Sequence, residues 1–280
     1  MEQTFGQHLT ALREAERLTG AELADCISLD EDTVLRWERD EEMPGAKSLI
    51  ALSDALGVSL ERLLDTGRPE KTIRKIVITG GPCAGKTTAM SWIQNAFTAQ
   101  GWCVFFAAES ATELINAGAA PWLTTSWRDF QVSIIKYQLN KERTLEEIAR
   151  LMPQDKVLIV CDRAAMDNRG YLTDRDWRYV LHRLGMNEVD LRDGYDAVFH
   201  LVTAAKGAQQ FYTCANNSAR TEDIGKAIEV DDALLRAWTG HAHLRVIDNS
   251  TDFDKKMRNL ISEIRRRWAK SSPAASSTSI

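Results

Sequence analysis

From Thr4 to Leu64 the apolar positions recur at helical spacing: Phe5, Leu9 and Leu12 share one face, and shorter apolar bursts follow. Thr19-Gly20, Leu29-Asp30, Pro44-Gly45 and Gly57 break the pattern, which predicts about five short helices. Past residue 74 the texture changes to continuous apolar runs separated by longer amphipathic segments. The runs are KIVIT (75–79), CVFFAA (103–108), VLIVC (157–161), AVFHLV (197–202) and LRVID (244–248). Strands that are apolar at every position need cover on both faces, so this half predicts an α/β fold with a five-stranded parallel sheet between helices. A closing helix, 252–268, places Phe253, Met257, Leu260, Ile261 and Ile264 on one side. The predicted organisation is a small all-α unit at 1–66, a polar Gly- and Pro-containing linker at 67–74, an α/β body at 75–268 and a low-complexity, disordered tail at 269–280.

Composition adds an asymmetry. With 280 residues, 44% of them hydrophobic, the chain can bury a sizeable core. No apolar run approaches the ~20 residues of a membrane span, and MEQTFGQHL lacks the basic flank and apolar stretch of a signal peptide, so no membrane insertion and a cytoplasmic address are expected. Five cysteines (Cys26, Cys83, Cys103, Cys161, Cys214) form no C-x-x-C pair and read as reduced thiols, neither disulfide nor zinc. The net charge of −5 divides unevenly: residues 1–66 hold 6 Lys and Arg against 15 Asp and Glu, so the head carries −9 and the remainder +4.

The chemistry gathers at the ends of the apolar runs. Gly80, Gly85, Lys86 and Thr87 satisfy G-x-x-x-x-G-K-[ST] between a strand and a helix. In such a loop, here Gly80-Gly81-Pro82-Cys83-Ala84-Gly85-Lys86-Thr87-Thr88, small residues let backbone N–H groups converge on phosphates at a helix N-terminus. Lys86 would reach the terminal phosphates of ATP or GTP, and Thr87 would bind Mg²⁺. VLIVC runs into Asp162-Arg163; an acid at that strand end can hold the magnesium shell, and the arginine can lie near phosphate.

Glu109, just past CVFFAA, is placed to face a phosphoryl acceptor and take its hydroxyl proton, with Glu113 as a competitor. Phe130-Gln131 resembles the substrate-facing helix of deoxynucleoside kinases, although a helical Gln is as often at the surface. Lys206 and Arg220 follow the fourth strand, where a lid would bring cations to the transferring phosphate. Asn249, in DNST after the fifth strand, can edge the base or open the last helix. Arg265-Arg266-Arg267 suits a solvated helix C-terminus better than a nucleic-acid patch.

Two resemblances follow from these residues. VLRWERDEEMPGAKSLIALSDALGVSLERLL resembles the Cro/C1-type (XRE) helix-turn-helix family over about 60 residues. The resemblance implies a DNA-reading helix whose first residues would be Asp30, Glu31, Asp32 and Thr33; carboxylates there repel a polyanion, so protein interaction or dimerisation is preferred to DNA. KIVITGGPCAGKTT, FFAAESATELI, CDRAAMDNRGYL, LRDGYDAVFHLVTAAKGAQQFYT and VIDNSTDFDKKM resemble the P-loop family that groups the NadR kinase domain, a ribosylnicotinamide kinase, with the TRPL translocation defect proteins. That implies a P-loop NTP hydrolase fold with strand order 2-3-1-4-5 and either transfer of a phosphoryl group to a nucleoside hydroxyl or a regulatory role. The family's D-R-G is Asp162-Arg163-Ala164 here, and its following M-D places Asp167 as a rival base to Glu109. The leading expectation is Mg²⁺-dependent phosphoryl transfer from ATP or GTP to an unknown small acceptor. The alternative is a nucleotide-gated regulator with little turnover.

Overall fold

A computed structural model describes residues 4–65, 71–124, 126–207 and 224–269. The chain divides into two compact units between Lys71 and Thr72. Arg220, Cys214, residues 67–70 of the linker and residues 270–280 of the tail lie outside the described residues.

The head has the five short helices that its breakpoints predict: α1 (Phe5–Ala15), α2 (Gly20–Cys26), α3 (Glu31–Glu38), α4 (Ala46–Ala55) and α5 (Leu60–Leu64). Thr4 and Thr19 open α1 and α2 with reciprocal capping boxes, and Asp30 and Ser59 cap α3 and α5. Leu9, Leu23, Val34, Trp37, Leu52 and Leu63 meet in a single core. Gly6 lets α1 lie against the end of α3, since a Cβ there would stand 2.3 Å from the Glu38 carbonyl oxygen.

The body contains β1 (Thr72–Thr79), α6 (Lys86–Thr98), β2 (Cys103–Ala107), α7 (Ser110–Asn116), α8 (Pro121–Thr124), α9 (Trp127–Leu151) and β3 (Lys156–Asp162). A 3₁₀ helix (Ala165–Tyr171), α10 (Asp174–Leu184), α11 (Glu188–Asp193), β4 (Ala197–Leu201), α12 (Ile224–Trp238), β5 (Leu244–Ile247) and α13 (Phe253–Ala269) follow. All strand pairs are parallel, in the order β2-β3-β1-β4-β5.

Because side chains alternate across a strand, each apolar run serves two cores. Val77, Ile159, Cys161 and Val198 face one side with α9 and α10, whereas Ile76, Ile78, Val160 and Phe199 face the other with α6 and α13. Parallel strands place all carboxyl ends on one edge, so Thr79, Asp162 and the loops after β2 and β4 converge there. No described helix is long and apolar enough to cross a membrane.

Candidate functional site

The loop after β1 is pinned by three different elements, one at each glycine. A Cβ on Gly80 (φ +133°) would stand 2.0 Å from the Leu201 carbonyl oxygen of β4, and one on Gly81 2.9 Å from Asp231 Cβ of α12. On Gly85 (φ +91°) it would meet the Phe253 ring of α13 at 2.7 Å. Glycine is therefore required by close approach and, at Gly80 and Gly85, also by a conformation unfavourable to L side chains. Cys83 takes φ +55° within the same turn, a local strain that the pinned loop imposes. The Lys86 ammonium, nearly buried, donates to the carbonyl oxygens of Gly80 (3.0 Å) and Gly81 (3.1 Å), so it spans the mouth of its own loop. Thr87 and Thr88 follow on the exposed first turn of α6.

Asp162 closes β3 directly beside β1, in register with Ile78. Its Oδ1 is buried without a hydrogen-bond partner among the described residues, and burial raises its pKa although Lys86 opposes the rise. An unsatisfied buried carboxylate oxygen next to a phosphate loop fits a cation. Among the described residues no group of three or more His, Cys, Asp or Glu gathers around a metal position. A Mg²⁺ ion here would thus rest on Thr87, Asp162 and oxygens of the nucleotide itself.

The neighbouring acids are all engaged but differ in burial, Asp167 being 3% exposed and Glu109 30%. Arg163, at φ +64°, turns its guanidinium toward Glu109 Oε1 at 2.7 Å and lies 3.9 Å from Asp167. Burial works against its charge, but Tyr171, Glu109, Asp167 and Asp162 outweigh burial and raise its pKa. Burial likewise pushes Glu109 up, yet Arg163, Lys86 and the Thr112 hydroxyl hold it below the ordinary carboxylate range. Asp167 is committed on both oxygens: the Thr79 hydroxyl donates to Oδ1 and the Ala164 N–H to Oδ2 at 2.8 Å. Glu113 is tied to Lys141 of α9.

Glu109, Arg163 and Asp167 rim a cavity of about 240 Å³ whose walls are mainly apolar. Trp122, Trp127, Phe130 and Tyr171 contribute aromatic faces, and Gln131 closes part of the wall. Gln131 is 2% exposed and borders the cavity, and its Oε1 has no partner among the described residues, so it is a buried acceptor and not a surface amide.

A family model described as an AAA domain matches residues 75–256. The chain belongs to this AAA-domain family. A second model, for a helix-turn-helix, matches residues 9–63. Three solved structures are similar to the head alone. The P22 c2 repressor bound to synthetic operator 9T is 31% identical over 23% of this chain and 97% of that one, with a TM-score of 0.22. The restriction-modification controller protein C.AhdI from Aeromonas hydrophila is 32% identical, over 21% of this chain and 91% of that one, TM-score 0.21. The DNA-binding domain of the P22 c2 repressor in solution is 30% identical over 26% and 93%, TM-score 0.23. No curated protein matches the chain.

An AAA domain of this kind is a nucleotide-binding P-loop domain, usually served by Mg²⁺. Behind its phosphate loop lie residues that sequence reasoning missed. Asp231 of α12 is fully buried; its Oδ1 accepts from the Gly81 N–H (2.8 Å) and Thr203 N–H (3.2 Å) and lies 3.1 Å from His200 Nε2, while Oδ2 accepts from Lys206 (2.8 Å). Burial raises its pKa, but His200, Lys206 and the Gly81 N–H overcome burial and hold it well below the usual range. The Thr203 hydroxyl donates to the Pro82 carbonyl at 2.5 Å. Lys206 is accordingly engaged by Asp231 and Asp232.

Asn249 spends its side chain locally: Nδ2 donates to the carbonyls of Thr203 (2.8 Å) and Lys206 (2.7 Å), and Oδ1 accepts from Lys256. A sequence signal existed for the missed pair. Asp231 falls on the apolar stripe Ala227, Leu234, Trp238 of α12, and Lys256 on that of Phe253, Leu260, Ile264 of α13. A charge on an apolar helical stripe must find a buried partner.

Proposed function

We propose that the AAA-type body transfers the terminal phosphoryl group of ATP or GTP, with Mg²⁺, to the hydroxyl of a small nucleoside-like acceptor held in the aromatic cavity. The observation that carries this reading is Glu109, kept ionised by Arg163 on the rim of a mainly apolar cavity at the same sheet edge as Asp162 and the phosphate loop. An ionised carboxylate at that rim can accept a hydroxyl proton; Glu109, although paired with Arg163 and Thr112, keeps a side chain 30% exposed, whereas Asp167 is 3% exposed and holds the Ala164 turn. Lys86 exchanges its loop carbonyls for phosphate oxygens, and Arg163 is placed to offset charge developing between donor and acceptor. Bound Mg²⁺, on Thr87 and Asp162, would screen the phosphate oxygens. The aromatic walls suit a planar ring, and the orphaned Gln131 Oε1 suits an N–H donor on its edge. The resemblance to the NadR kinase domain supports the same assignment, and that to the TRPL proteins supports nucleotide binding. Arg220 stays the proposed lid cation on sequence grounds.

A second reading is favoured by the helix-turn-helix match: a nucleotide-gated regulator with little turnover. At the start of α3 the exposed acids Glu31 and Asp32 stand where a DNA-reading helix would enter a groove, and Arg36 pairs with Asp32 (3.7 Å) and Glu42 (3.4 Å). This favours a protein partner or self-association for the head over DNA.

The test is incubation with labelled ATP and GTP, with and without a nucleoside panel that includes nicotinamide riboside, with Lys86→Ala as control. Acceptor-dependent NDP release lost in the variant is expected; tight nucleotide binding with negligible acceptor-dependent turnover would refute the transferase and leave the regulator.

A further inference from the structure

Lys256 sits on the apolar face of α13 and is 3% exposed, a costly position for an ammonium. Each of its three donors has an oxygen acceptor from a different segment. Nζ donates to the Ala84 carbonyl of the phosphate loop at 3.2 Å, to the Val202 carbonyl after β4 at 2.7 Å and to Asn249 Oδ1 after β5 at 2.8 Å. These acceptors are neutral; Asp231 and Asp248 favour its charge only at a distance, and burial lowers its pKa to about 8 despite them. Among the described residues no carboxylate contacts this buried cation, so neutral dipoles satisfy its donors without cancelling its charge.

The three acceptors belong to segments that bear on a bound nucleotide. Ala84 immediately precedes Gly85-Lys86, where α6 begins. Asn249 in turn holds the Thr203 and Lys206 carbonyls, and the Thr203 hydroxyl holds Pro82 of the phosphate loop. Lys256 thus closes a ring of hydrogen bonds through the phosphate loop, the loop after β4 and the loop after β5. A cation clamping the Ala84 carbonyl from behind also adds positive potential beneath the turn whose amides face phosphate.

We propose that Lys256 is a tethered cation of the nucleotide site: a positioning residue that never touches the ligand but sets phosphate affinity by fixing the Ala84 carbonyl and joining it to the loops after β4 and β5. The inference requires only that the P-loop bind a nucleotide and holds for either functional reading.

The experiment measures dissociation constants of a fluorescent ATP analogue and a fluorescent GTP analogue for the full chain, its Lys256→Met and Lys256→Arg variants, and Lys256→Ala titrated with ammonium chloride. Tetramethylammonium chloride at equal ionic strength is the control, and melting temperature without nucleotide is followed in parallel. Loss of three charged hydrogen bonds beneath the loop is expected to weaken binding by Lys256→Met about tenfold or more. The longer, forked Arg should not restore it. Lys256→Ala is expected to recover at least about fivefold in affinity with ammonium and not with tetramethylammonium.

Nucleotide affinity within about twofold of the parent in folded Lys256→Met, or no selective rescue by ammonium, overturns the proposal. A Lys256→Ala chain that fails to fold at every ammonium concentration also overturns it, because the role would then be structural support alone. If no analogue binds even the parent chain, the nucleotide-site reading fails and this proposal falls with it, an outcome that the parent control tells apart from failure of the proposal alone.

Discussion

Replacing Arg163 by Met keeps the buried stem and removes the charge that three carboxylates share. Arg163 Nε lies 2.7 Å from Glu109 Oε1, with side chains 13% and 30% exposed. Two unit charges at that distance attract by about 6 kcal/mol at an effective dielectric constant near 20. Desolvation offsets much of this, and breaking a buried pair costs about 3–5 kcal/mol. The partial exposure of Glu109 brings the expected loss to about 2–3 kcal/mol near pH 7.

The pH dependence gives the sharper test. In the parent chain Arg163 and Lys86 hold the native pKa of Glu109 below its unfolded value, so its contribution is complete above the ordinary carboxylate range and is lost as pH falls through the native value. Without Arg163, burial dominates at Glu109 and reinforces the upward push already present at Asp162. Those acids then protonate more readily in the native state, and acid penalises the variant less than the parent. Urea unfolding followed by tryptophan fluorescence should therefore show a gap of about 2–3 kcal/mol at pH 7 that narrows by at least about 1 kcal/mol at pH 4. A gap that is the same at both pH values, or below about 0.5 kcal/mol at pH 7, would refute the assignment of Arg163 as the holder of these acids.

Three other outcomes follow from the same geometry. Gln131→Leu removes a carboxamide whose Oε1 has no partner, so the unliganded protein should hold or gain up to about 1 kcal/mol in thermal unfolding while acceptor-dependent NDP release falls; a loss above about 2 kcal/mol would mean the amide is structural. Asp162→Asn relieves an unsatisfied buried charge, so stability without metal should stay within about 1 kcal/mol, while Mg²⁺-dependent nucleotide affinity drops at least about tenfold in a titration with and without the ion. Trp37→Ala empties the centre of the head core and should cost about 3–5 kcal/mol there, seen as lost far-UV helicity with nucleotide binding retained by the body.

The alternation of apolar and polar positions was enough for the architecture. Five continuous apolar runs, each followed by an amphipathic segment, point to a doubly covered parallel sheet, and β1 to β5 fall on those runs in the expected order, with the edge strands β2 and β5 partly exposed. The phosphate loop was equally legible, because its chemistry is local: the glycines, Lys86 and Thr87 are neighbours in sequence as well as in space. Asp162 and Glu109 could be named from their places at strand ends, since parallel strands bring those ends to one edge.

The tertiary structure decided what each of these groups is paired with and how far it is buried. Asp167 and Glu109 were rivals by position and both border the cavity; only packing buries Asp167 under the Thr79 hydroxyl and the Ala164 N–H while Glu109 stays partly exposed. Asn249, read as an edge to the base, has its amide taken by Thr203, Lys206 and Lys256, contacts as many as 46 residues away in the chain. Asp231 and Lys256 reach the phosphate loop across separations of 150 and 172 residues. Periodicity reports how often a helix presents an apolar face and where a charge interrupts it. The partner that makes a buried charge tolerable is chosen by packing, and packing brings together residues that no local pattern relates.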